Sequence, residues 1–267
     1  MDPIAYTPPP SVLAGLVALL VIYRLCVGRY RDRFSGSAVV PLGRQAAFYA
    51  GLLVLLIALA TPLDTVADSY LFTAHMLQHL LLTLGAAPLL LAGTPGWLLR
   101  DVLRASRLTG LVRWARHPLV AFCTFNLVFS LAHVPSFYEL TLTSEPLHAL
   151  EHLVFLGTAM LMWMPVLSPV PDIAPPYPPL GQVLYLFLQT LPASLVGALL
   201  STTASAYYPT YVQAPRISPL GPLEDQQLGG LLMWVGGGLY FLIATGVVFF
   251  AWASREEAAN RRPIEVH

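Results

Sequence analysis

The sequence predicts an all-α integral membrane protein, a bundle of about seven transmembrane helices with its N-terminus outside and its C-terminus in the cytoplasm. Hydrophobic residues make up 56% of the 267 residues, and charged residues make up 10%. Soluble domains average about 25% charged residues, so the composition excludes a soluble fold with a single anchor. The apolar residues are also gathered into long runs, as spans of about 20 residues require.

These apolar runs define the predicted helices. No stretch of sequence outside them is long enough for a separate globular domain, so we expect residues 1–267 to form a single polytopic membrane domain. The N-terminus lacks a basic region, and we therefore interpret the first run as a permanent span, not as a signal peptide. The predicted spans lie near residues 11–28, 44–61, 70–93, 118–134, 147–167, 180–203 and 228–252.

Arginine placement predicts the orientation, because cytoplasmic loops carry the excess of basic residues. Arginines follow spans one and three and occur in the tail, whereas the segments between spans two and three and between spans four and five have no basic residue. The loop between spans five and six is predicted to be cytoplasmic although it carries no arginine. The arginines on the predicted inner side are Arg24, Arg29, Arg31, Arg33, Arg44, Arg100, Arg104, Arg107, Arg113, Arg116, Arg255, Arg261 and Arg262.

Five of the seven histidines occur at the ends of three spans, and this topology places all five on the non-cytoplasmic side. Ionisable residues inside spans are costly and usually face the bundle interior. Residues four apart share one helix face, and imidazole suits copper, zinc, iron and nickel. The sequence therefore predicts an outward-facing metal site, with packing as the alternative for any single histidine. The five are His75 and His79 in HMLQH, His133 in AHVP, and His148 and His152 in HALEH.

Acidic and amide residues accompany these histidines. Gln78 and Glu151 each follow the first histidine of a pair by three residues, where they can orient an imidazole by hydrogen bonding. Asp68 and Asp225 flank the outer ends of spans. We expect these four residues to surround the metal ligands.

Two other motifs are interpreted without metal chemistry. HALEH matches the H-x-x-E-H pattern of one metalloprotease class, but HMLQH has no glutamate and no further feature indicates proteolysis. The methionines Met160, Met162 and Met164 fall toward the inner side, where packing is the better interpretation. We expect no enzymatic activity and no nucleic-acid partner.

Four blocks in order, FTAHMLQHLLLTLGAAPLLLAGTP, SLAHVPSFYE, PLHALEHLVFLGTAMLMWMPV and EDQQLGGLLMWVGGGLY, resemble the seven-span cytochrome c oxidase assembly factor CtaG family. The resemblance covers roughly residues 60–250. It implies a role in maturing a haem-copper oxidase by handling copper on the outer side. The positions that match the family's blocks are His75, His79, His133, His148, His152, Asp225 and Gln226.

On this resemblance we expect a multi-pass assembly factor of the bacterial inner membrane. Its outer-facing histidines would bind copper and deliver it to a cytochrome c oxidase subunit or a periplasmic copper chaperone, with zinc as an alternative metal. A second hypothesis is a haem-binding protein for haem delivery or electron transfer, since two helices can each supply one axial histidine. A third hypothesis is a metal transporter, although the inner half of the spans offers little polar lining.

Overall fold

The structure, a computed structural model, describes residues 6–115 and 117–260, and every regular element within those ranges is helical. Shorter helices connect the long ones at Pro62–Ser69, Gly96–Ala105, Thr109–Ala115, Pro135–Leu142 and Pro209–Gln213. The long helices are α1 (Pro10–Val27), α2 (Leu42–Leu59), α3 (Phe72–Gly93), α4 (Pro118–Ala132), α5 (Glu145–Leu167), α6 (Pro179–Thr202) and α7 (Pro222–Ala259).

Six of these helices are long and apolar enough to cross a membrane. The count rises to seven when α4 is taken together with Thr109–Ala115, from which it is bent by 84°. Large apolar side chains on the outside of the bundle are exposed, for example Val17 at 57%, Leu153 at 67% and Phe250 at 69%. Lipid tails accommodate such faces, and helices satisfy their own backbone groups inside a bilayer. The predicted fold class, a multi-pass helical membrane protein, is confirmed.

Helices α1 to α6 begin and end close to the predicted spans, but α7 is longer at both ends. It begins at Pro222, not at 228, and continues to Ala259, not to 252. Proline suits the first position of a helix, and the polar residues Asp225 and Gln226 are buried with hydrogen-bond partners, so the helix extends through them. At the other end, the last turns carry exposed charged residues that favour helix.

Helix α3 lies at the centre of the bundle. Of the residues in its apolar window, 67% are buried, against 6% for α1. It contacts α2, α5 and α7, while α4 and α6 pack between α5 and α7 on the far side. Helix α1 packs against α2 at the periphery. This arrangement sets the start of α3 beside the start of α5.

Glycines allow a close helix crossing between α6 and α7. A β-carbon on Gly197 would lie 2.6 Å from the carbonyl oxygen of Gly230, and one on Gly230 would lie 2.7 Å from that of Gly197. The two backbones therefore meet directly, as small residues permit in membrane helices.

One end of the bundle, called here the arginine end, carries Arg31 and Arg100 and joins three loops. The Arg100 guanidinium donates to both carboxylate oxygens of Asp172, at 2.7 and 3.0 Å, and this hydrogen bonding lowers the pKa of Asp172. The backbone N–H of Ser35 donates to Asp101 at 2.7 Å. The loop between α5 and α6, which has no arginine, is thus held at the arginine end. Arg116, Arg261 and Arg262 lie outside the described residues.

Candidate metal centre

Helix α3 presents His75 and His79 from its first two turns. Its first two backbone N–H groups donate to the Asp225 carboxylate on α7, from Phe72 at 2.7 Å and from Thr73 at 3.2 Å. These donors would otherwise be unsatisfied at the start of a helix. Asp225 thereby fixes where α3 begins, and both histidine side chains are buried within the bundle.

Helix α5 presents His148 and His152 opposite them. Within each helix the two imidazole centroids lie 4.3 Å apart on α3 and 4.2 Å apart on α5. Between the helices, His75 lies 5.6 Å from His148, and His79 lies 5.8 Å from His152. The two H-x-x-x-H motifs therefore meet in one group of four imidazoles, called here the histidine cluster.

Two carboxylates complete the cluster. Asp68, on the short helix Pro62–Ser69, lies 3.3 Å from Nδ1 of His148 and 3.9 Å from Nδ1 of His75. Ligand atoms of Asp68, His75 and His148 all lie within 4.8 Å of one another, and so do those of His75, His79 and Glu151. Asp68 and Glu151, which were expected to surround the ligands, are close enough to be ligands themselves.

Buried polar atoms without a hydrogen-bond partner are concentrated here. Among the described residues, ten of the twelve such side-chain atoms belong to the histidine cluster and to Asp68, Gln78 and Glu151. Each unsatisfied buried group costs roughly 1–3 kcal/mol. Imidazole nitrogens and carboxylate oxygens are donors for divalent transition metals. The cluster can hold a metal ion, which would satisfy many of these atoms at once.

Gln78 ties α3 to the neighbouring elements. Its amide nitrogen donates to the carbonyl of Ala58 at 2.9 Å and to Asp64 at 2.8 Å. Burial first and the nearby charge of Asp68 second raise the pKa of Asp64 to about 6, against the hydrogen bond from Gln78, which lowers it. Gln78 therefore connects the cluster's helix to α2 and to the helix that carries Asp68.

His133 ends α4 at the same end of the bundle, but its ring has other partners. Nδ1 lies 2.7 Å from the carbonyl of Phe129, and Nε2 lies 3.3 Å from the sulfur of Met76. A carbonyl accepts but cannot donate, so Nδ1 carries the hydrogen. In the neutral ring Nε2 then keeps its lone pair, and the thioether sulfur, which has no hydrogen to donate, contacts it without a hydrogen bond. Met76, inside HMLQH, was not identified as a functional candidate from the sequence.

Aromatic residues from two connecting helices cover the cluster. The Tyr138 ring lies 5.0 Å from that of His75. The Tyr138 hydroxyl lies 2.8 Å from the Tyr211 hydroxyl, which donates to the carbonyl of Ala67 at 2.8 Å. Burial raises the pKa of both tyrosines well above the usual value, so both remain protonated donors. This chain of hydroxyls joins the helices Pro135–Leu142 and Pro209–Gln213 to the helix that carries Asp68.

Below the cluster, α3 widens into a π-helical turn over Leu81–Ala86. Two of its carbonyls accept hydrogen bonds from neighbouring helices, Thr83 from the Trp163 indole at 3.0 Å and Leu84 from the Tyr240 hydroxyl at 2.7 Å. Single π turns occur often at functional sites. Here the turn immediately follows His79 and is satisfied by side chains on α5 and α7.

The half of the bundle on the arginine side of the cluster is mainly apolar. Met162, Met164 and Trp163 are buried in one hydrophobic cluster, which supports the packing interpretation of the methionines. A polar contact between α4 and α6, from Asn126 to Gln189 at 2.8 Å, was not anticipated from the sequence. Glu151 groups with the two histidines of HMLQH.

Comparison with known proteins identifies the family. The family model described as "Cytochrome c oxidase caa3 assembly factor (Caa3_CtaG)" matches residues 21–255. No curated protein and no solved structure matches the chain. The family match covers most of the chain, including every residue of the histidine cluster, and it confirms the resemblance of the four sequence blocks. The chain belongs to the cytochrome c oxidase caa3 assembly factor family.

Proposed function

We propose that this protein is a non-enzymatic copper carrier for oxidase assembly, a single membrane domain that binds copper between α3 and α5 and delivers it for insertion into the oxidase. The observation that carries the proposal is the set of buried, unpartnered nitrogen and oxygen atoms in the histidine cluster. Family membership supplies the connection to the oxidase, and the donor atoms supply the connection to a metal.

The proposed ligands come from the five histidines of the three motifs. His75, His79, His148 and His152 form the cluster, and His133 stands beside it with its Nε2 against Met76. Gln78 and Asp225 act on the site indirectly, because they hold the α3 backbone in place. Imidazole binds both copper and zinc, so zinc is the alternative cargo, and oxidase assembly favours copper.

The spacing of the rings favours a bare ion over haem. Haem held by two histidines needs its macrocycle between the two axial rings. The four imidazoles instead approach one another at centroid distances of 4.2 to 5.8 Å, which is too close for a macrocycle to enter. The apolar packing of Leu84, Phe125 and Trp163 below the cluster likewise argues against a transport path through the bundle.

We propose that the cluster opens to the non-cytoplasmic side of the bacterial inner membrane. Basic loops favour the cytoplasm, and the Arg100–Asp172 contact gathers the loops at the arginine end, opposite the cluster. A periplasmic copper chaperone or an oxidase subunit would then exchange copper at the outer surface, where Asp68 is partly exposed.

Metal analysis of the purified, detergent-solubilised protein tests this function. After copper loading and removal of excess, we expect about one copper per chain in the wild type, because the four imidazoles meet in a single group. The double variant His75→Ala/His79→Ala should lose the bound copper, and His148→Ala/His152→Ala should bind less copper than the wild type in the same loading time. Zinc loading in parallel shows which of the two metals the protein binds.

His117→Ala is the matched control, because His117 is exposed and lies at the opposite end of α4. Size-exclusion chromatography shows whether each variant remains folded. Equal copper in wild type and both double variants, or no copper in the wild type after loading, would refute the proposed function.

A further inference from the structure

We infer that the histidine cluster contains two adjoining copper positions that share His75 and are occupied in turn. The outer, entry position consists of Asp68, His75 and His148, and the inner, holding position consists of His75, His79 and Glu151. The inference rests on the proposed function, because it describes how the copper of that function reaches its place.

The geometry separates the two positions. In each set of three, the ligand atoms lie within 4.8 Å of one another, and His75 belongs to both sets. On the outer side, Nδ1 of His75 lies 3.9 Å from Asp68. Both ring nitrogens of His75 are buried without a hydrogen-bond partner, so neither is committed to the surrounding protein. His75 therefore has a free nitrogen for either position.

The chemistry of imidazole makes the two positions alternate. A neutral imidazole has one nitrogen with a lone pair, and its other nitrogen carries hydrogen. His75 can therefore bind copper in one position at a time, and a change of tautomer or of ring orientation transfers it to the other. This predicts one copper per chain, with His75 as the ligand that is exchanged between the positions.

Exposure falls from the outer position to the inner one. The side chains of Asp68 and His148 are 30% and 12% exposed, whereas Glu151 and His79 are 7% and 3% exposed and His75 is fully buried. The Phe155 ring lies 4.4 Å from that of His79 and covers the inner set. An ion that arrives from the histidine side of the bundle therefore meets Asp68 and His148 first.

Charge favours movement inward. Asp68 already lies 3.3 Å from His148 and faces partly into water, which weakens its attraction for a cation. Both oxygens of Glu151 are buried with no hydrogen-bond partner, and an unpaired buried carboxylate is costly. A cation is therefore stabilised more at the inner position, and it remains bound there.

Timed copper loading of the full-length protein in detergent tests the inference. The measured quantities are copper per chain at intervals after copper addition, and the rate at which a chelator removes the bound copper. We expect Asp68→Asn to slow uptake about tenfold with an unchanged final occupancy, and Glu151→Gln to keep fast uptake but release copper about tenfold faster. Glu145→Gln, an exposed carboxylate at the same end that belongs to neither set, should match the wild type.

The outcomes separate the inference from the proposed function. Copper binding with two ions per chain, or identical effects of Asp68→Asn and Glu151→Gln on uptake and release, would overturn the two alternating positions and leave the carrier function standing. No copper in the wild type would overturn both. If either carboxylate variant fails to fold, His148→Gln tests the outer position and His79→Gln tests the inner one.

Discussion

Asp225 and Phe72 are 153 positions apart in the chain, yet the Asp225 carboxylate accepts the backbone N–H of Phe72 at 2.7 Å. Phe72 is the first residue of α3, and Asp225 lies in the first turn of α7. The contact means that α7 supplies the N-terminal cap of the helix that carries His75 and His79. The position of the histidine cluster therefore depends on the last helix of the bundle.

Replacement of this cap should lower both stability and copper binding. Asp225→Asn keeps the shape but removes the charge, and it buries an amide N–H₂ group at a site with no exposure. We expect a loss of roughly 1–3 kcal/mol, the range for an unsatisfied buried group. Thermal unfolding in detergent measures the loss, and metal analysis measures the copper. Glu224→Gln, its exposed neighbour, is the control, and equal unfolding temperatures for the two variants would contradict the capping role.

The hydroxyl chain over the cluster gives a second prediction. Tyr211→Phe removes the donor to the Ala67 carbonyl and the partner of the Tyr138 hydroxyl. Because both hydroxyls are buried, we expect destabilisation of about 1–3 kcal/mol. The same change loosens the cover above His75 and should speed release of copper to a chelator. Tyr207→Phe, at an exposed tyrosine, should leave both quantities unchanged. An unaltered release rate in Tyr211→Phe would show that the aromatic cover does not retain the copper.

The glycine crossing between α6 and α7 gives a third prediction. Gly197→Ala forces its β-carbon to within 2.6 Å of the Gly230 carbonyl, so the backbones must separate. Overpacking of this kind costs typically about 1–3 kcal/mol. The unfolding temperature should fall, whereas Gly157→Ala on α5 should not lower it, because the space beside Gly157 is open. A Gly197→Ala protein as stable as Gly157→Ala would mean that the crossing is not tight.

Cysteine labelling tests the proposed orientation. In a background with Cys26 and Cys123 replaced by alanine, Ser144→Cys places a thiol beside α5 at the cluster end, and Ser106→Cys places one at the arginine end. In intact cells, a membrane-impermeant thiol reagent should label Ser144→Cys and spare Ser106→Cys until the membrane is permeabilised. The reverse pattern would place the cluster on the cytoplasmic side and contradict delivery from outside.

The helices could be predicted from local properties of the chain. Long apolar runs need helical structure in a bilayer, because helices satisfy their own backbone groups, and this property depends on each segment alone. The length of α7 could not be predicted in the same way, because residues 222–227 are largely polar in sequence. They are helical because Asp225 and Gln226 find partners on α3 and near Tyr207, which no local pattern reveals.

The histidines could also be predicted as pairs, because a spacing of four residues sets two side chains on one helix face. The carboxylates were harder to assign. Asp68 was expected to support the ligands, but it reaches His148 from a separate short helix at 3.3 Å. Met76 could not be identified from the sequence, because a methionine in an apolar helix usually packs, and its contact with His133 exists only because the fold brings the end of α4 beside α3.

The sequence by itself determined that this chain forms membrane helices and that two of them carry paired histidines, because hydropathy and helical periodicity act over neighbouring residues. The tertiary structure decided which donors meet. Asp68, His75 and His148 come from three different helices, and Glu151 on α5 meets the two histidines of α3. Such meetings depend on how helices pack across long separations in the chain, and packing geometry has no local signature in the sequence.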